Sequence, residues 1–189
     1  MMRAMLTGEY RDWAAEGLAE RDWRTTYDAA KGWVSRGGGA WIPECWLVHA
    51  ASGVLHRQPR TGVHALDLAL GNWVSAEPDR SILLWARASI VWHWLDDPKT
   101  AEADFTAAGT ASPAWLQPRL EHDVEACREA AALSRKRKAA VASAPGYATE
   151  PLAHGTVAPR EATHEPGVEP ELWDLAVPIL TKEQVPPPM

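Results

Sequence analysis

The chain has 189 residues, 46% hydrophobic and 23% charged, a globular composition, and its formal net charge of -6 argues against a general nucleic-acid binder, whose phosphate contacts need an excess of Lys and Arg. No apolar run approaches the roughly 18 residues of a membrane-spanning helix, and MMRAMLTGEYRD breaks into charge before a signal-peptide core can form, so a soluble, unexported chain is expected. Cys45 and Cys127 stand far apart with no CxxC spacing, which fits a reducing compartment and points to the cytoplasm.

In chain order, apolar residues recur at helical spacing through the first 143 positions, and β-branched runs bounded by turns are scarce. The pattern predicts an all-α domain over residues 1–143, with helices at Glu9 to Ala19, Asp22 to Ser35, Pro43 to Arg57, Gly62 to Ser75, Asp79 to Leu95, Pro98 to Ala108 and Ala114 to Ala142. Gly37-Gly38-Gly39, Gln58-Pro59 and Glu77-Pro78 read as breaks. Asp97-Pro98 reads as an N-cap followed by proline at the first helical position. Residues 144–189 hold nine of the fifteen prolines, and seven acidic residues against Arg160 and Lys182. They are expected to form an acidic, proline-rich, disordered tail.

Paired short helices call for a search for internal repeats. Units beginning at Tyr10, Trp46 and Ile82 align Trp13 with His49 and Trp85, Gly17 with Gly53 and Ser89, Ala29 with Ala65 and Ala101, and Trp33 with Ala69 and Phe105. Small residues recur where two antiparallel helix axes come closest, and bulky ones fill the space beside them. The third unit carries Trp85, Ala88, Ser89, Trp92, Ala101, Phe105, Ala108 and Pro113 in this order.

At these spacings the chain resembles the tetratricopeptide repeat family over about Tyr10 to Pro113. The resemblance implies antiparallel helix pairs stacked as a short solenoid, with Ala114 to Ala142 as a capping helix. An irregular bundle of seven helices is the other reading of the same pattern, and only stacked repeats provide a groove. The resemblance further implies a partner-binding groove on the first helix of each pair. It is carried here by Arg11, Leu18 and Arg21, by Leu47, Val54 and Arg57, and by Leu83, Ile90, His93 and Trp94, with Gln58 beside them. Arginines among apolar side chains suit an acidic-apolar peptide.

The tail contains one island of that composition, Glu171 to Leu180, in which Leu172, Trp173, Leu175 and Ile179 form a docking motif. The expected function is therefore that of a protein-protein interaction adaptor, whose partner is a protein, a peptide or its own tail. The alternative is a nucleic-acid-associated or phage-type accessory protein that uses the basic run Arg135, Lys136, Arg137 and Lys138.

No enzymatic chemistry, metal or cofactor is expected. Cys45, His49 and His56 share a helix stripe but lack a second ligand pair. Around His93, Trp92 and Leu95 are read as core, and Asp96 and Asp97 as the carboxylates that end one helix and cap the next. Glu121, Asp123, Glu125 and Glu129 are read as the solvated side of the last long helix.

Overall fold

The computed structural model describes residues 7–73, 77–143 and 170–183. Among these residues there are eight α-helices, one 3-10 turn and no strand. The helices are α1 (Thr7–Glu20), α2 (Trp23–Arg36), α3 (Pro43–His56), α4 (Pro59–Asn72), α5 (Pro78–His93), α6 (Pro98–Ala108), α7 (Gln117–Ser143) and α8 (Pro170–Leu180), with the 3-10 turn Gly39–Trp41 before α3.

Four helices, α3 to α6, open on proline, whose missing N–H falls where a helix has no acceptor for it. Gln58-Pro59 and Glu77-Pro78 therefore start the next helices as well as ending the previous ones, and α4 begins at Pro59 rather than at Gly62. Asp22 and Asp97 cap α2 and α6 by accepting from the amides of Thr25 and Thr100 at 3.0 and 3.1 Å. After α2 the amide of Gly37 returns to the carbonyls of Gly32 and Trp33, and Gly38 takes a left-handed φ of 77° that turns the chain into α3.

Each helix from α1 to α6 packs on the next, and in addition α1 touches α3 and α3 touches α5. The bounds of α1 and α3, and those of α2 and α4, lie 36 positions apart at both ends. The close approaches repeat with the same offset. A Cβ on Gly17 of α1 would stand 2.6 Å from Thr26 Oγ1 in α2. One on Gly53 of α3 would stand 3.4 Å from Thr61 Cγ2 and 3.5 Å from the amide nitrogen of Gly62 in α4. Ser89, Ala29, Ala65 and Ala101 are all buried, as are Trp33, Ala69 and Phe105 at the next aligned position. The aligned Trp13, His49 and Trp85 diverge: Trp85 is fully buried, His49 half-buried and Trp13 exposed.

Residues 144–169 and 184–189 of the expected tail lie outside the described residues, but Pro170–Leu180 is a helix that packs on α1, α3 and α5. Burial of its apolar side chains opposes the cost of the proline inside it.

Candidate docking site for a helix

α8 buries Leu172, Ala176, Val177, Ile179 and Leu180 in the same core as Leu18, Leu47 and Leu83, while Leu175 is 37% exposed. The positions 172, 176, 179 and 180 form an i, i+4, i+7, i+8 stripe, the apolar face of an amphipathic helix. Each large side chain so covered is worth roughly 1.5 to 3 kcal/mol. The helix needs that contribution, because it is 11 residues long and carries Pro178 in its interior. A proline there removes one intrahelical hydrogen bond and costs about 3 kcal/mol relative to alanine.

Polar groups hold its C-terminal end. The indole N–H of Trp94 donates to the Ile179 carbonyl at 2.9 Å, alongside the Lys182 amide at 3.2 Å. The ammonium of Lys182 in turn lies 5.3 Å from the centre of the Trp94 ring. The Thr181 hydroxyl donates to the Val177 carbonyl at 3.0 Å. One guanidinium nitrogen of Arg119, on α7, donates to the Glu183 carboxylate at 2.8 Å.

The same guanidinium lies 5.2 Å from the centre of the Trp85 ring and 3.9 Å from Asp123. Asp123 accepts the Trp85 indole N–H at 2.9 Å. This corrects the reading of Asp123 as solvated: it is 8% exposed. Burial raises its carboxyl above the ordinary range, while Trp85 and Arg119 pull it back toward ionisation. His93 stacks on Trp92 at 4.3 Å. It is pushed down to about 4 by burial first, and then by the charges of Arg119 and Lys182.

Of the residues assigned to a groove, Leu18, Leu47, Val54, Leu83 and Ile90 are buried, and His93 and Trp94 half-buried. Val54 and Ile90 face α4: a Cβ on Gly62 would stand 2.7 Å from Val54 Cγ2 and 3.1 Å from Ile90 Cδ1. The arginines do not converge. Arg11 lies 3.8 Å from the Glu44 carboxylate, Arg57 is 5.8 Å from the centre of the Tyr27 ring, and Arg21 ends α1 exposed, at a left-handed φ of 59°.

The tail motif comes together on this face through Leu172 and Ile179, with Leu175 turned outward; the side chain of Trp173 lies outside those described. Arg135 and Lys136 are exposed on α7, and the side chains of Arg137 and Lys138 are likewise outside those described. Sequence reasoning missed Arg119, Asp123 and Glu183. Their pairing joins segments far apart in the chain, and no spacing signals it.

Cys45, His49 and His56 do not converge on one point. The Cys45 thiol is directed at the Ala30 carbonyl, 3.8 Å away, whereas His49 and His56 both lie against Tyr27, with ring centres 4.9 and 5.6 Å from it. Among the described residues no three His, Cys, Asp or Glu side chains are placed to hold a metal ion. A cleft of about 290 Å³ between α5 and α6 is lined by Arg80, Ser81, Arg87 and Asp104 among others. Its cations are committed: Arg87 grips Asp104 at 2.7 and 2.8 Å and Asp67 at 2.6 Å, and Arg80 donates to the carbonyls of Leu70 and Trp73.

No helix among the described residues is long and apolar enough to cross a membrane. Neither a family model, nor a curated protein, nor a solved structure matches the chain.

Proposed function

We propose that this chain is an adaptor built as a short tetratricopeptide-like stack. In this reading α1–α2, α3–α4 and α5–α6 are its hairpins, α7 is its cap, and a partner protein binds to the face made by α1, α3 and α5. The chain works by binding, and its C-terminal helix is a second docking element. The observation that supports this reading is the seat of α8. A segment that starts 27 positions beyond Ser143 lies on the first helix of each hairpin and on no second helix among its principal contacts. The 36-position offset between α1–α2 and α3–α4, in helix bounds and in close approaches, is what two successive repeats would have.

The test uses the full chain carrying Leu172→Asp and Ile179→Asp, which places two charges in the apolar stripe and empties the seat. A fluorescent peptide of residues 168–183 should bind this variant saturably, as read by anisotropy. A variant that keeps its helical circular dichroism and binds no peptide removes the adaptor reading.

A further inference from the structure

We infer that the partner is itself an amphipathic helix with a defined pattern, and that α8 occupies its place as an internal stand-in. This rests on the adaptor reading and names the ligand of the same face. The seat specifies the ligand through four contacts. It buries large aliphatic side chains at i, i+7 and i+8, here Leu172, Ile179 and Leu180. It buries i+4 completely with only a methyl group there, Ala176. The Trp94 N–H reaches a main-chain carbonyl in the last helical turn. Arg119 reaches a carboxylate at i+11, here Glu183. The partner is therefore a helix with an aliphatic, small, aliphatic, aliphatic stripe and an acidic residue just past its C-terminal end.

α8 matches this pattern but is a weak helix. Pro178 cannot donate to the carbonyl one turn back, at Asp174, so α8 relies on the seat to stay helical. What it has instead is its covalent link, which gives a tethered segment an effective concentration on the order of millimolar. An untethered helix of the same stripe without the internal proline keeps every contact and loses less order on binding. The chain thus excludes poor ligands and yields to good ones.

The experiment measures anisotropy with full-length chains and three synthetic peptides: residues 168–183 carrying Pro178→Ala, the same peptide with Ala176→Trp, and the same peptide with Glu183→Gln. The first should bind the L172D/I179D chain at least about tenfold more tightly than the unsubstituted chain. A full chain carrying Pro178→Ala, whose own helix is strengthened, should bind it several-fold more weakly than the unsubstituted chain. The tryptophan peptide should lose at least about tenfold in affinity, and the glutamine peptide a few-fold.

Equal affinity of the first peptide for all three chains overturns the stand-in role and leaves the adaptor reading in place. Undiminished binding of the tryptophan peptide overturns the assigned pattern. Absence of binding to an opened chain that remains helical sinks the adaptor reading itself. If the opened chain loses its helices, the comparison of Pro178→Ala with the unsubstituted chain decides.

Discussion

Trp94, one residue past the end of α5, donates its indole N–H to the carbonyl of Ile179 at 2.9 Å, across 85 positions of sequence. This bond ties the C-terminal end of α8 to the C-terminal end of α5 and has a measurable consequence. Trp94→Phe keeps a ring for Lys182 to lie over and removes the donor. The loss should be about 1 kcal/mol. Amide hydrogen exchange in α8 should quicken about fivefold while α3 and α4 stay unchanged, and unaltered exchange in α8 would deny the bond a holding role.

Gly62 and Gly53 stand nine positions apart on facing helices and should respond oppositely to the same change. A Cβ on Gly62 would meet the Ala50 carbonyl oxygen at 2.8 Å, and backbone cannot move aside cheaply. Gly62→Ala is expected to cost at least about 2 kcal/mol by overpacking. A Cβ on Gly53 meets its nearest neighbour at 3.4 Å, close to ordinary contact. There the gain in helix propensity, roughly 0.5 to 1 kcal/mol, offsets the tighter fit, so Gly53→Ala should leave stability unchanged or slightly raised. Urea unfolding of both variants tests the contrast. Equal losses would mean that α3 and α4 are not packed as described.

Acid should weaken the fold through its imidazoles. His49 and His93 are both pushed down to about 4, chiefly by burial, from an ordinary value near 6.5. Their folded-state pKa is depressed, so the unfolded chain takes up protons first. Their contribution is complete above about pH 6.5 and is lost as the pH falls toward 4. The buried carboxyls of Glu44 and Asp123 are raised by burial and act in the opposite sense. A single substitution therefore isolates the imidazole effect. Both ring nitrogens of His49 are buried without a hydrogen-bond partner among the described residues, and its ring lies against Tyr27. His49→Phe should raise stability at pH 7 by about 1 kcal/mol and reduce the loss between pH 7 and pH 4.5. An unchanged pH profile would mean that His49 titrates as it does in water.

Arg87 links three helices, with Asp67 on α4 and Asp104 on α6. Arg87→Met leaves the Asp104 carboxylate, whose side chain is 15% exposed, without its bidentate partner. The expected loss is about 1 to 2 kcal/mol after allowance for partial exposure. Lysine should not restore it, because a single ammonium cannot match the two-point grip. Thermal unfolding in low and high salt checks this, and full recovery in Arg87→Lys would show that charge alone is at work.

Much of the fold was legible before any coordinates. The helix starts at Pro43 and Pro98 and the cap at Asp97 follow from local chemistry that needs no tertiary context. Gly17 and Gly53 could be singled out because close approach between two helices tolerates few side chains, and Ala29, Ala65 and Ala101 because small apolar residues at helical spacing turn inward. Leu172 and Ile179 were legible as side chains needing cover, because the surrounding segment is acidic and rich in proline. The helical state of that segment was not, since Pro178 argues against it locally and the compensation comes from a surface elsewhere.

The boundary between the two kinds of knowledge follows from what periodicity encodes. A repeating apolar stripe tells which face of a helix turns away from water, and a proline or a cap tells where the helix begins. Neither says what the hidden face will meet. That Val54 and Ile90 turn toward Gly62, that Asp123 accepts the Trp85 indole N–H, and that Arg119 reaches Glu183 depend on how distant segments are brought together. Contacts of that kind are set by the relative placement of whole helices, and burial, which drives their assembly, has no direction along the chain.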